Sequence, residues 1–347
     1  MNKSAEHELP PAAPPGSRDR PDALIMRFSR PPIPLNLFGI PFGLTGLAGL
    51  WSAMSSAADA PVLVSDALWV VAVAAWLVTM VRYLLGARTL RTVRADLRHP
   101  VLGPFAALTS IVATLIGERI HADLPAVGQV WVLVTATISF AFAAWFIANL
   151  ATGAHEIDQL HSGYFLPTVA GGVISAQSLA VVGFQHLAIG ALGTGLLFWL
   201  LLGAITLHRL AFRPQAPAAI MPTLAIFSAP PAVMGNAWFA ITSDGEGSHI
   251  DTVQRILFGT FLFLIAFQVA LIPVYRRIPF TLGFWALTFT ATASARYAVQ
   301  FVVHDSVIAA AVWQWAVALM ATALTGAVVA ASVRLVIRSR RLSVVRV

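Results

Sequence analysis

The chain has no cysteine among its 347 residues. That absence excludes disulfide bonds, thiolate metal centres and cysteine nucleophiles together. Charge is also scarce: Asp, Glu, Lys and Arg make up 11% of the residues against 58% hydrophobic, and the mean hydropathy is +0.79. So few polar side chains cannot cover a soluble domain of this length, which makes the chain an integral membrane protein. Lysine is almost missing, Lys3 being the only one, so arginine carries the formal net charge of +7. In a membrane protein that excess bears on topology first, and no nucleic-acid partner is expected. The chain also lacks an HExxH sequence, paired carboxylates at one depth and any soluble catalytic domain, which argues against an enzyme. Neither a cofactor nor a resident metal is expected.

What is present is a series of apolar runs of about 20 residues, the length of a spanning helix rather than of a roughly 10-residue barrel strand. Ten are expected, near 34–55, 66–86, 101–118, 128–151, 164–184, 186–208, 217–241, 254–275, 281–303 and 309–336. Residues 1–33, including MNKSAEHELPPAAPPGSRDRPD, are polar and Pro-rich, and read as a disordered cytoplasmic tail without the apolar stretch of a cleavable signal peptide. Residues 34–336 form the membrane domain, and 337–347 a basic cytoplasmic tail.

Arginine placement gives the topology. Arg88, Arg91, Arg94 and Arg98 follow the second run, Arg209 and Arg213 the sixth, Arg276 and Arg277 the eighth, and Arg338, Arg340 and Arg341 the tenth. The opposite connections hold Asp59, Asp66, Glu118, Asp123, Asp244, Glu246, Asp251 and Asp305, with one Arg119. The positive-inside rule then predicts a multi-pass cell-membrane protein with both termini cytoplasmic. The acidic HEIDQLHSG connection is the exception.

Odd and even runs differ in kind. Odd runs start near a proline and are rich in Gly, Ser and Thr, as in PLNLFGIPFGLTGLAGLW and IMPTLAIFSAPPAVMGNAWFA; even runs are Leu, Val, Ala and Trp, as in LWVVAVAAWLVTMVRYLL. The repeat unit is a two-helix hairpin occurring about five times. Small and hydroxyl residues suit interior contacts and bulky apolar ones suit lipid, so odd helices are expected inside and even ones outside. Trp69, Trp131, Trp199 and Trp313 are expected in the interfacial belt. Pro41, Pro230 and Pro231 interrupt odd runs, and the backbone groups they free need protein or a wet cavity nearby.

The ninth run, PFTLGFWALTFTATASARYAVQF, sets Thr288, Thr290, Thr292 and Ser294 around Phe289. Such a helix either lines a narrow path that the ring plugs or packs closely on another helix. Thr45, Thr109, Ser110, Ser175, Ser178, Ser228, Asn236, Thr288 and Thr292 are candidate pore-lining residues, with interhelical hydrogen bonds as the alternative. Gly171 and Gly172 suit close helix contact. Arg296 is a candidate charge at the pore mouth, unless it snorkels to the interface. His155, Glu156, Asp158 and His161 are expected in a solvated loop: two His six residues apart do not share a helical face, so a metal site is disfavoured and a pH-sensing loop is the remaining functional reading. The inner runs carry no mid-membrane Lys or Arg, and no carboxylate at mid-depth as their ends are drawn here. No fixed charge for tight ligand binding is therefore encoded, which favours weak binding and permeation.

FGIPFGLTGLAGLW, YFLPTVAGGVISAQSLAVVG and PFTLGFWALTFTATAS together resemble the tellurite-resistance and C4-dicarboxylate transporter family, which includes plant guard-cell anion channels and fungal malate and sulfite transporters. The resemblance covers residues 34–336. It implies an all-α fold of ten transmembrane helices in five tandem hairpins, with the odd helices around a central pore, assembled as a homotrimer. It also implies that Phe289, following the Phe284-Trp285 pair and Thr288, is the gate. The partners implied are the lipid bilayer and small inorganic or dicarboxylate anions, and the function an anion channel or facilitator. A proton-coupled or exchange transporter of malate, or a sulfite or tellurite exporter, is the alternative.

Overall fold

The computed structural model describes residues 33–153, 155–243, 250–304 and 309–344. The expected tail over 1–32, the acidic positions Asp244, Glu246 and Asp305, and the last three residues lie outside them. Among the described residues the protein is entirely helical.

Five segments begin with a tight turn before settling into regular helix. Leu35–Phe38 leads into α1 (Gly39–Ala57), Gly103–Ala106 into a later helix Ala107–Asp123, a π turn Leu166–Ala170 into Gly171–Val181, Met221–Thr223 into Leu224–Ser228, and Leu282–Phe284 into Trp285–His304. Proline explains most of these starts: Pro34 precedes the first turn, and Pro104, Pro167 and Pro222 lie within theirs. A helix start leaves its first N–H groups unpaired, so a residue without one costs nothing there.

In chain order after α1, the helices are α2 (Val62–Ala87), the short α3 (Leu90–Leu97), α4 (Ala107–Asp123), α5 (Pro125–Thr152), α6 (Gly171–Val181), α7 (Gln185–Phe212), α8 (Leu224–Ser228), α9 (Pro230–Thr242), α10 (Thr252–Tyr275), α11 (Trp285–His304) and α12 (Ala310–Val344). The last helix runs on through Arg338, Arg340 and Arg341, so most of the stretch expected as a basic tail continues it.

By length and apolarity eight described stretches are able to cross a membrane. Burial separates them into two groups. Of the most apolar window, 67%, 89% and 78% is buried in Leu35–Ala57, Ser162–Val181 and Met221–Thr242, against between 11% and 33% in the other five. The two expected runs outside this set are α4 and α11. Helix α4 has 17 residues and carries Glu118 and Arg119; α11 carries Arg296 among its hydroxyls. Both are interior helices that face protein rather than lipid, so their composition is free to be more polar.

The five segments that begin with tight turns touch one another in a closed order: α1 packs on α4, α4 on α6, α6 on α9, α9 on α11, and α11 back on α1. Each also packs on the helix that follows it in the chain. Outer helices attach through indole hydrogen bonds. Trp76 Nε1 donates to the Thr109 carbonyl at 3.1 Å, Trp131 Nε1 to Ala113 at 2.7 Å, and Trp69 Nε1 to Ser52 Oγ at 3.0 Å. The indole N–H groups of Trp69 and Trp131 are thus spent between helices, whereas Trp313 is 57% exposed.

Candidate functional site

Two cavities lie end to end inside the ring of α1, α4, α6, α8–α9 and α11. The first is lined by the beginnings of all five segments, from Asn36, Phe105, Leu166, Thr223 and Leu282 onward. The second is lined by residues farther along the same segments, including Thr45, Glu118, Gln177, Asn236 and Arg296, together with Trp69 of α2. Phe289, Ile174 and Val233 line both. These three apolar side chains form the partition between the cavities.

Phe289 is held there by a second ring. Its phenyl stacks on Phe42 of α1 with centroids 3.6 Å apart and planes 13° from parallel. Three glycines one turn apart on α1 make the space. A Cβ on Gly43 would collide with Thr288 Oγ1, one on Gly46 would meet Thr292 Oγ1 and come 2.9 Å from Phe289 Cδ2, and one on Gly49 would lie 3.4 Å from the Arg296 guanidinium. The FGLTGLAGL pattern thus cuts a groove into which the face of α11 carrying Thr288, Phe289, Thr292 and Arg296 fits.

The break in the fourth segment faces the same path. Helix α8 ends at Ser228, α9 starts at Pro230, and the Ala229 N–H reaches the Ile226 carbonyl at a stretched 3.4 Å. Ile226, Ala229 and Pro230 all line the first cavity, so the backbone freed by the prolines borders open space.

Of the expected hydroxyl and amide positions, Thr45 and Asn236 lie on the wall of the second cavity. Thr109, Ser110, Ser175, Ser178, Ser228, Thr288 and Thr292 are not among the residues lining either one. The hydroxyls of Thr45, Thr109, Ser110, Ser228, Thr288 and Thr292 donate to carbonyls three or four residues earlier in their own chain. A helical Ser or Thr satisfies itself in this way and needs no water-filled path. Ser110 Oγ also accepts from Ser139 Oγ at 2.8 Å across the α4–α5 contact. Asn236 Nδ2 donates to the Ala293 carbonyl at 3.1 Å, which leaves its buried Oδ1 without a protein donor. Thr290 lines the first cavity.

Arg296 faces the interior of the ring. It borders the second cavity, and its Nη2 lies 3.6 Å from Glu118 Oε1 while its buried Nε has no protein acceptor. Glu118, which the sequence places at the end of a run, projects from the interior of α4 into the same space. Gln177 Nε2 donates to its two oxygens at 3.1 and 2.8 Å, and Ser178 Oγ donates to Oε2 at 2.9 Å. These are the two charged residues on the wall of the second cavity; the first has none. Sequence reasoning missed Phe42, Glu118 and Gln177. No sequence signal marks Glu118, because Arg119, His121 and Asp123 end the apolar run although the helix continues to Asp123.

The solvated-loop reading fails for His161. Its Nε2 bonds to the Val101 carbonyl at 3.0 Å, its Nδ1 accepts from the Gly163 N–H at 3.0 Å, and its ring stacks on Phe105. Burial, aided by the nearby Arg209 charge, pushes the imidazole down from 6.5 to about 4 against the opposing pull of the Val101 carbonyl. Titration at that value does not suit a sensor of neutral pH. Glu156 and Asp158 are exposed, and among the described residues no three His, Asp or Glu side chains converge as a metal site would require.

The profile of the voltage-dependent anion channel family matches residues 32–336. Over 286 residues the chain is 28% identical to a tellurite resistance protein TehA homolog from Haemophilus influenzae, an alignment covering 82% of this chain and 85% of that protein. It is 24% identical over 278 residues to the S-type anion channel SLAH2 of Arabidopsis thaliana, covering 77% of this chain and 52% of the relative. For SLAH3 of the same plant the identity is 23% over 279 residues, with 77% and 43% covered. The chain spans about half the length of these plant relatives.

Proposed function

The chain belongs to the voltage-dependent anion channel family and is a multi-pass membrane protein, not an enzyme, and from that premise we propose that it passes small anions along the line of its two cavities with Phe289 as the plug. The observation that carries this reading is the shared wall: Phe289 borders both cavities and is stacked on Phe42 between them. In this account the chain crosses the membrane ten times as five tandem hairpins, with α4 and α11 as the two crossings whose polarity reflects a place beside the path. Both termini are cytoplasmic, and the arginine clusters at 88–98 and 276–277 lie on that same side, raising the local anion concentration there. The oligomer is a homotrimer, with one conduction path in each protomer.

Thr45, Asn236 and Thr290 supply wall polarity, and the remaining hydroxyls stabilise the inner helices. Selectivity rests on the field around Arg296 and on the width left by Ile174, Val233 and Phe289. The Arabidopsis relatives are named as S-type anion channels, which favours permeation over tight binding here. Reconstitution in planar bilayers under ion substitution tests the reading. The expected result is a macroscopic current whose reversal potential moves when chloride is replaced by a large anion and stays put when the cation is changed. A reversal potential that follows the cation overturns it.

A second reading has one observation in its favour. Glu118 is a carboxylate inside the path, the group a proton-coupled carrier of malate, sulfite or tellurite needs. Flux that requires a pH gradient and produces no current selects that reading over the channel.

A further inference from the structure

The wall of the second cavity carries one positive and one negative side chain, Arg296 and Glu118, and this pairing has features of a competition rather than of a closed ion pair. Their separation of 3.6 Å exceeds the 2.7–2.9 Å of a charge-assisted hydrogen bond. Glu118 is instead tied to α6 by Gln177 and Ser178 at 2.8 to 3.1 Å, so the carboxylate is fixed whether or not Arg296 reaches it. Arg296 keeps a buried Nε–H with no protein acceptor, on the side chain that borders the cavity. The arrangement is an anion site already half occupied by the protein's own anion.

We infer that Glu118 is the residue that sets which anions this site admits, holding it to monovalent anions and against dicarboxylates. The inference rests on the pore reading above. Because Glu118 and Arg296 cancel, an empty second cavity has no net charge on its wall, and a monovalent anion brings it to −1. A dianion brings it to −2, beside a carboxylate that its anchors prevent from withdrawing. Beside the uncharged polar Thr45, Gln177 and Asn236, the wall holds the apolar Leu115, Ile174, Val233, Phe289 and Ala293 and no further cation, so that excess has no compensating charge. For a monovalent anion the same neutrality keeps residence short, since the freed guanidinium returns to Glu118 when the anion leaves.

The test uses the full chain carrying Phe289→Ala, so that currents are not limited by the plug, with chloride on one side of a bilayer and malate on the other at pH 8. The Phe289→Ala protein is expected to reverse close to the chloride potential. Adding Glu118→Gln, which keeps the shape and a hydrogen-bonding oxygen for Ser178, is expected to raise the malate-to-chloride permeability ratio on the order of tenfold or more. It should also lower the chloride concentration at half-maximal current, because Arg296 is no longer masked. Glu118→Asp retains the charge and is expected to retain the low ratio. A ratio in Glu118→Gln equal to that of Phe289→Ala alone, with current present, overturns the inference, as does a Glu118→Asp ratio that rises as far as that of Glu118→Gln. An absence of current in Phe289→Ala itself overturns the pore reading instead, so the two failures are distinguishable.

Discussion

Phe42→Leu separates a hinged plug from a fixed constriction. The Phe42 and Phe289 rings stack with centroids 3.6 Å apart, closer than the 4.5–7 Å at which aromatic pairs are most favourable, so the ring–ring contribution lies near the low end of its range at about 0.5 kcal/mol. Leucine keeps most of the volume and loses the flat face. With the lost contact area the total comes to about 0.5 to 1 kcal/mol, which corresponds to about a two- to fivefold rise in the open-to-closed ratio if the stack holds the ring in place. Single-channel recording of reconstituted protein reads that ratio directly. The account expects a higher open probability with little change in unitary conductance. An unchanged open probability, with the protein present at wild-type levels, refutes the claim that Phe42 holds Phe289. A higher unitary conductance alone identifies the pair as a static narrowing.

Three further outcomes follow from the packing. Gly43→Ala places a methyl against Thr288 Oγ1 with α11 behind it, and overpacking of this kind costs about 1–3 kcal/mol; a lower thermal midpoint in detergent is expected, and wild-type stability contradicts the groove. Tyr297→Phe removes the hydroxyl that donates to Gln254 Oε1 at 2.8 Å in a fully buried contact between α10 and α11. The cost is about 0.6 kcal/mol if membrane hydrogen bonds set the scale and about 1–3 kcal/mol if Gln254 is left unpaired, and unfolding titrations decide between them. His161 is neutral in the fold down to about 4, against 6.5 when unfolded, so it stabilises the protein fully above 6.5 and that stabilisation falls as pH drops toward 4, by roughly 3 kcal/mol in all. Thermal midpoints taken from pH 7 to 4 should decline less steeply in His161→Gln than in wild type, and parallel curves contradict the assignment.

Much of the architecture is legible in the chain because bilayer length and the contrast between Gly/Ser/Thr-rich and Leu/Val-rich runs are local properties. PLNLFGIPFGLTGLAGLW and IMPTLAIFSAPPAVMGNAWFA differ visibly from LWVVAVAAWLVTMVRYLL, and their burial differs accordingly. The site is less legible because its parts are brought together from different helices. Phe289 stands out among threonines, yet its partner Phe42 lies 247 positions earlier and looks like any apolar residue. Glu118 is hidden by a boundary drawn where apolarity falls, although α4 runs on to Asp123. Arg296 looks like an interfacial anchor until the groove of Gly43, Gly46 and Gly49 is seen to turn its face of α11 inward. Hydroxyls mislead in the other direction: six of the candidates bond to their own helix backbone, which residue type alone does not disclose. Nor does residue type disclose that the Trp69 and Trp131 indoles donate to partners on α1 and α4.

The central claim is that anions cross where the two cavities meet and that the Phe289 ring stops them. Chloride currents through wild type and Phe289→Ala, in bilayers containing equal amounts of reconstituted protein, test it most directly. The account predicts a small wild-type current and a much larger one in Phe289→Ala, with the same anion-dependent reversal potential in both. Equal currents in the two proteins, or a larger current that has lost its preference for anions, would contradict it.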